Sequence, residues 1–186
     1  MASVLISSTE AMIPSVEDDH TEDWVGAIVG RWRRIRPDLD PTPMLVIARI
    51  ARLAALTDDL LRPPFAAAGL ANGDFDLLAA LRRQDPPHEA SPGELALAML
   101  VTSGATTKRI DRLERQGYVT RRPSDLDGRG RIVALTPAGL GLVDELFAVH
   151  LANEASILSP LTPTERNELA RLLGALAVTV EGPVHV

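Results

Sequence analysis

The chain has 186 residues, 46% of them hydrophobic and 24% charged, so it is long enough and apolar enough for one domain with a core. It has no cysteine, which excludes disulfides, thiolate zinc sites, cysteine nucleophiles and thiol redox sensing. Aromatic residues make up only 3% of the chain, so aliphatic helix formers must supply the core and a mostly helical fold is expected.

The charge of the chain is unevenly distributed. The net charge of −6 by itself argues against a nucleic-acid partner. Between Lys108 and Arg131, however, eight basic residues stand against four acidic ones, which is typical of a protein that presents one basic face to phosphates. A solvated helix with salt bridges is the alternative interpretation of this segment. No apolar run approaches the roughly 20 residues of a membrane span, and no secretory signal opens the chain, so we expect a cytoplasmic protein.

The N-terminal third is predicted to be helical after a short tail. Residues 1–20 lack a hydrophobic period and are predicted to be flexible, and residues 21–186 are predicted to form one unit. Within it, residues 22–68 should hold two helices that take part in dimerisation, one from about 23 to 36 and a long one from about 42 to 68. We expect the Pro63-Pro64 pair to kink or break the long helix near its end.

Residues 74–135 carry the pattern of a helix-turn-helix followed by a hairpin. A helix is predicted over 74–83, and Ser91, Pro92 and Glu94 form a capping box that opens a short helix. Thr102 or Ser103 caps the next helix, which runs to about residue 116 and is stopped by a glycine. Residues 118–120 and 132–135 are predicted to form two short strands around a loop at 124–130.

Residues 137–180 are predicted to form two further helices, over about 137–158 and 163–180. Each opens with a Thr-Pro pair, an N-cap followed by a first-turn proline. The second helix has an apolar stripe that we expect to lie in the core or at a dimer interface. The stripe consists of Leu169, Leu172, Leu173, Leu176 and Val180.

This order of elements is that of a winged helix-turn-helix, a mostly α fold with a small β-hairpin, in which the second helix enters the major groove. At about 100° per residue, Thr106, Ile110 and Leu113 share one face of that helix, and the basic residues lie opposite. Small residues at its start would let the helix N-terminus approach phosphates and base edges. The residues predicted from this pattern to contact DNA are Gly104, Thr106, Thr107, Lys108 and Arg112.

The motifs SPGELA, TSGATTKRIDRLERQGYVTR, DLDGRGR and ALTPAG, between Ser91 and Leu140, resemble the MarR family of transcription regulators. The order of the helices from about residue 42 is similar too. The resemblance implies a homodimer formed by the terminal helices and a recognition helix that begins at Ser103, which adds Ser103 to the DNA-contacting set. It also implies a wing in which Asp127, Arg129 and Arg131 match the family's Asp-x-Arg pattern and place an arginine near the minor groove.

The segment RWRRIRPDLDPTP, from Arg31 to Pro43, is similar to the PecS-like, urate-responsive branch of this family, which adds a helix before the usual first one. That branch binds small anionic metabolites such as urate through a tryptophan, an aspartate and two arginines. The matching residues here are Trp32, Asp76, Arg109 and Arg121.

A switch can be built from these residues. Arg109 lies at the edge of the core face of its helix and can pair with Asp76, and an anion that competes for Arg109 or Arg121 would shift the helix. The alternative is a purely structural ion pair, with Trp32 as a core or interface anchor.

The sequence thus predicts a ligand-responsive DNA-binding regulator, a repressor of a pseudo-palindromic operator, released by a urate-like anion or a di- or tricarboxylate. The alternative is a winged-helix interaction or scaffold module without specific DNA binding. Enzymatic function is not expected, because there is no phosphate loop or nucleophile elbow, and the histidines lack metal-ligand spacing. They are His20, His88, His150 and His185. No cofactor or metal is expected.

Overall fold

The computed structural model describes residues 23–124 and 130–181. Its elements in chain order are helices and three short strands: α1 Trp24–Ile35, α2 Met44–Ala67, α3 Asp74–Arg82, β1 Glu89–Ala90, α4 Pro92–Ala98, α5 Ser103–Arg115, β2 Val119–Pro123, β3 Arg131–Leu135, α6 Pro137–Ile157 and α7 Pro163–Glu181. None of the described helices is long and apolar enough to cross a membrane. The predicted fold class, mostly helical with a small hairpin, is confirmed.

The protomer divides into two compact units at Ala54. This division does not test whether residues 21–186 form one unit, so that statement stays a prediction. In the first unit, α1 begins after Asp23, whose carboxylate accepts a hydrogen bond from the backbone N–H of Gly26 at 2.8 Å. The helix ends at Ile35, two residues before Pro37, as expected from the restriction that proline places on its predecessor. Val25 and Val29, one turn apart, are its buried side chains.

The second unit has its core around α3. Leu77, Leu78 and Leu81 of this helix are fully buried. They belong to one apolar cluster with side chains from the other elements, among them Leu95, Ile110, Leu113, Val119, Val133 and Val143. Because α4, α5 and the sheet all contribute to this cluster, burial of apolar surface fixes the helix-turn-helix against the wing.

The sheet has three antiparallel strands in the order β1-β3-β2. The hairpin of β2 and β3 was predicted, and its register pairs Val119 with Leu135 and Arg121 with Val133. The first strand was missed. It consists of Glu89 and Ala90, which pair with β3 more than 40 residues later in the chain, and two residues are too few to show an alternating pattern.

Several helix ends follow the predicted chemistry. Ser91 and Glu94 form a complete capping box at α4, and Thr162 and Glu165 exchange the same pair of hydrogen bonds before α7. Gly117, just past α5, has φ +79°, the left-handed conformation that ends helices. The break expected at Pro63-Pro64 is not formed: α2 continues to Ala67, and the backbone N–H of Ala68 donates to the carbonyl of Pro64 at 3.1 Å.

Candidate nucleic-acid interface

The helix-turn-helix consists of α4 and α5 and the turn between them. Met99 closes α4, and Leu100 follows with φ +52°, a left-handed conformation that is costly for a residue with a Cβ. Thr102 then caps α5, its hydroxyl oxygen accepting from the N–H of Ala105 at 3.3 Å. The turn between α4 and α5, the recognition helix, thus takes only four residues, from Met99 to Thr102.

One face of α5 anchors it to the core, as predicted. Thr106, Ile110 and Leu113 are each no more than 1% exposed. The hydroxyl of Thr106 donates to the carbonyl of Thr102 at 3.1 Å and is therefore satisfied inside the protein. This corrects the prediction that Thr106 contacts DNA: its position on the core face, which the helical period also gave, excludes it from the surface.

The opposite face of α5 is exposed at its N-terminal end. Ser103, Gly104, Thr107 and Lys108 are all exposed, and the first backbone N–H groups of a helix point outward with a partial positive charge. The hydroxyl of Thr107 donates to the carbonyl of Ser103 at 2.9 Å and keeps a lone pair for another partner. This exposed end can accept a phosphate or approach base edges, and the contacts of these four residues with DNA stay a prediction.

Arg112, predicted to contact DNA, is held by a buried carboxylate. Its Nε and Nη2 donate to the two oxygens of Asp74 at 2.7 and 2.5 Å, in a bidentate geometry. Asp74 is fully buried, and it also accepts from the N–H of Ala71 at 2.9 Å. These hydrogen bonds raise the pKa of Arg112 above its ordinary value. The guanidinium therefore ties α5 to the first turn of α3, which corrects its predicted place on the free basic face.

The predicted pair of Arg109 with Asp76 is not formed among the described residues. Arg109 instead places its guanidinium over Gly73, where a Cβ would collide with it, and donates to Sδ of Met99 at 3.5 Å. Asp76 is exposed. The predicted pair is wrong: the acid of α3 that holds an arginine of α5 is Asp74, and the arginine is Arg112. Each lies close along its helix to the residue that was chosen.

The wing approaches α5 through Arg121 of β2. Its Nη1 donates to Glu114 at 2.8 Å and its Nη2 to Asp111. Asp111 and Arg109 are two residues apart, so they project about 200° from each other around the helix. The structure therefore does not bring Arg121 together with Arg109. Arg131 of β3 is exposed and lines a cleft of about 520 Å³ that Arg121 also lines. The predicted wing residues Asp127 and Arg129 lie outside the described residues.

Trp32 belongs to the first unit. It is 46% exposed and lines a cleft of about 240 Å³ together with Arg36, Leu39 and Met44. Arg36 donates to Asp38 at 2.8 and 2.5 Å, an exposed ion pair. The other three residues of the predicted ligand site lie in the second unit.

A second cavity lies inside the second unit. It has a volume of about 290 Å³ and is lined by residues of α3, α6 and the end of α4, including Asp76, Arg83, Met99 and His150. The imidazole of His150 packs on the rings of Phe65 and Phe75, and its Nε2 lies 3.1 Å from Glu154. Nδ1 of His150 is buried without a hydrogen-bond partner. The cavity therefore offers an arginine and a carboxylate to a small polar molecule.

Comparison with known proteins decides the family. A family model described as the MarR family matches residues 68–130. The HTH-type transcriptional regulator PecS of Dickeya dadantii (strain 3937) is 39% identical over 150 residues, which are 81% of this chain and 90% of PecS. The chain belongs to the MarR family. It is a DNA-binding transcription regulator and not an enzyme, and its likeness to PecS confirms the branch indicated by the N-terminal segment.

Solved MarR-family structures share the fold. A mutant of MarR from E. coli complexed with operator DNA matches with a TM-score of 0.64 and 25% identity, covering 78% of this chain and 96% of that one. AbsC, a MarR family transcriptional regulator from Streptomyces coelicolor, matches with a TM-score of 0.69 and 23% identity, covering 78% and 98%. The predicted winged-helix architecture is confirmed.

Sequence reasoning missed three residues of the candidate interface and the cavity beside it. No sequence signal separates Asp74 from Asp76, because both acids lie in the first turn of α3 and both suit the N-terminus of a helix. Arg83 has no signal in the sequence beyond its place at the end of a helix. No sequence signal places His150 beside α3 either, since the contact joins residues about 75 positions apart.

Proposed function

We propose that this chain is a homodimeric repressor that binds a pseudo-palindromic operator through α5 and is released by a small anionic metabolite. The observation that carries the proposal is the division of α5 into a fully buried face and an exposed N-terminal end with Lys108. A helix held in this way can enter a major groove without rearrangement of its own core. As a regulator of chromosomal genes it would act in the cytoplasm.

The DNA contacts we propose come from two places. Ser103, Gly104, Thr107 and Lys108 would meet the groove edge and bases, and the wing arginines Arg129 and Arg131 would follow the backbone toward the minor groove. Arg112 is left out of base reading because its guanidinium is occupied by Asp74. Repression would follow from occupation of a promoter.

Support for a dimer comes from apolar surface. No side chain of α7 is buried in the protomer, and its stripe from Leu169 to Val180 is 40% exposed or more. Exposed apolar surface of this extent indicates association. A two-fold dimer would present two copies of α5 to half-sites about 10 base pairs apart.

For the effector we propose the cavity lined by Asp76, Arg83 and His150. An anion there, urate-like or a di- or tricarboxylate, would be held by Arg83 and would reach Met99, the residue that Arg109 of α5 contacts. Movement of Met99 and Arg109 would shift α5, and the effector would release DNA by the difference in its affinity for the two positions. Arg121 no longer belongs to this site, because Asp111 and Glu114 occupy it. The cavity does not include Trp32, whose predicted part in ligand binding stays a prediction.

The test is selection of duplexes by the purified protein from a random-sequence pool. The selected sequence should contain two inverted half-sites, and Lys108→Ala should weaken binding to it by about tenfold, since a good contact in the groove is worth about 1–3 kcal/mol. Arg171→Ala, which removes an exposed arginine of α7, is the matched control. A pool without an enriched site would contradict specific DNA binding and favour an interaction module.

The effector is tested separately on the selected duplex. Urate, citrate and succinate are titrated into the complex of the parent and of Arg83→Ala. One of these anions should release DNA from the parent, and Arg83→Ala should raise the concentration required by about tenfold, the loss of a charged hydrogen bond. Equal release from both proteins would remove the cavity from the proposal and leave DNA binding standing.

A further inference from the structure

The outward side of α5, which would face the phosphates of bound DNA, carries two carboxylates. Asp111 is two turns into the helix, at about 60° from Lys108 around the axis, and Glu114 is one turn further. Their side chains are half and more than one third exposed. A carboxylate within about 8 Å of a phosphate repels it without much screening at physiological salt. A helix that binds DNA with this face therefore has to offset these two charges.

Arg121 is placed to do so. It reaches from the middle of β2 and donates one guanidinium nitrogen to each acid, to Glu114 at 2.8 Å and to Asp111. Its own side chain is only 25% exposed, less than either partner. It therefore exposes little of its guanidinium to solvent, and its Nη1 and Nη2 donate to the two carboxylates.

The neighbouring arginine on the strand behaves differently. Arg122 projects to the other face of the sheet, since successive side chains of a strand alternate. It donates to Glu89 of β1 at 2.6 Å. Arg121 thus pairs with acids of α5, and Arg122 pairs with an acid of β1. Because the two arginines are adjacent on one strand and carry the same charge, their alanine variants can be compared directly.

We propose that Arg121 is a positioning residue of the DNA interface: it cancels the negative charge of Asp111 and Glu114 on the recognition helix, so that this face can approach phosphates. The inference rests on the proposed function, since it needs α5 to meet DNA. It also means that removal of Arg121 weakens DNA binding in the absence of any effector. The side chains of both acids are more than one third exposed, and ion pairs with an exposed partner contribute little to folding, so the loss should appear in binding and not in thermal stability.

The experiment compares charge-matched variants of the full chain on the selected duplex by fluorescence anisotropy. Arg121→Ala should bind about tenfold more weakly than the parent, a change typical for loss of favourable charge at a DNA interface. Arg122→Ala, with the same change in net charge, should lose less than about threefold. Melting temperatures of all variants are measured to confirm folding.

Two double variants separate the cancellation of charge from direct contact. Arg121→Ala/Asp111→Asn has the parent's net charge and should recover binding to within about threefold of the parent. Arg121→Ala/Asp144→Asn has the same net charge but removes an acid of α6 that pairs with Arg82, and it should not recover. If neither double variant recovers, Arg121 contacts DNA itself and the proposal is wrong.

The remaining outcomes are also distinct. Binding of Arg121→Ala equal to that of the parent overturns this inference and leaves the proposed function intact. Equal recovery by both double variants shows a general effect of net charge and overturns it as well. A parent that selects no duplex overturns the proposed function, and the inference falls with it.

Discussion

At the scale of single residues, the turn between α4 and α5 contains a strained leucine. Leu100 has φ +52° and is 84% exposed. Its side chain therefore gains almost nothing from burial to offset the cost of a left-handed backbone, about 1–2 kcal/mol for a residue with a Cβ. Strain of this kind is found at turns that a function requires to be tight.

Leu100→Gly should raise the free energy of unfolding by about 0.5–1 kcal/mol, because glycine adopts positive φ freely but is more flexible when unfolded. Urea denaturation followed by circular dichroism measures the change. The control is Leu97→Gly in α4, a leucine that is similarly exposed at 76%. There glycine should destabilise by about 1 kcal/mol, the cost inside a helix. A loss of stability in both variants would show that Leu100 is not strained.

The pair of Asp74 and Arg112 should matter more to stability than any other described ion pair. Arg112→Ala leaves a fully buried carboxylate with one backbone donor, and removal of one partner of a buried pair costs about 3 kcal/mol or more. Asp74→Ala/Arg112→Ala should be less destabilised than the two single losses added together, which a double-mutant cycle measures. Additive losses would show that the two side chains do not stabilise each other.

At the scale of helices and strands, the caps were predictable and the tertiary pairs were not. Ser91 with Glu94, Thr102 and Thr136 are local signals, since each cap bonds a backbone N–H within three residues. The helical period places Arg109 nearer the core face of α5 than Arg112 and therefore favoured the wrong arginine as the partner of α3. The way in which α3 packs against α5 decides which arginine reaches the acid.

The N-terminus of α1 gives a prediction on pH. Asp23 caps this helix and accepts two hydrogen bonds from Arg49 of α2, each 3.0 Å long, and these chiefly lower its pKa to about 2. Since the folded pKa lies below the ordinary value of 3.8, the contribution of Asp23 to stability is complete above about pH 4 and is lost as the pH falls through about 2.

Carbon NMR of the Asp23 carboxyl should therefore show a titration midpoint near 2. Arg49→Ala should move the midpoint up toward the ordinary value of 3.8, although the hydrogen bond from the backbone of Gly26 should keep the pKa below that value. The control is Arg33→Ala. Arg33 lies in α1 and has no hydrogen bond to Asp23 among those described, so this variant should leave the midpoint unchanged. A midpoint near 3.8 in the parent would show that the pair does not persist in solution.

At the scale of the whole molecule, the apolar surface of α7 predicts an obligate dimer. Light scattering at micromolar concentration should give twice the mass of the chain. Leu176→Glu places a charge in the stripe and should shift the protein toward monomer or unfolded chain, since burial of an unpaired charge is costly. Asn167→Glu changes the opposite side of the same helix, about 180° away, and should leave the dimer intact. A monomeric parent would contradict the proposal that a two-fold dimer binds the operator.

Lys108, exposed on the outward face of α5, is also the only lysine in the sequence. An amine-selective acylating reagent can therefore modify this protein at one side chain, and that side chain lies on the recognition helix. Bound duplex should shield the amine, so peptide mass spectrometry should find less acylated Lys108 with the selected duplex than with an unrelated one at equal concentration. Equal acylation would place the DNA elsewhere. The chain thus carries its one side-chain amine, a covalent footprinting probe, at the position where its contact with DNA is proposed.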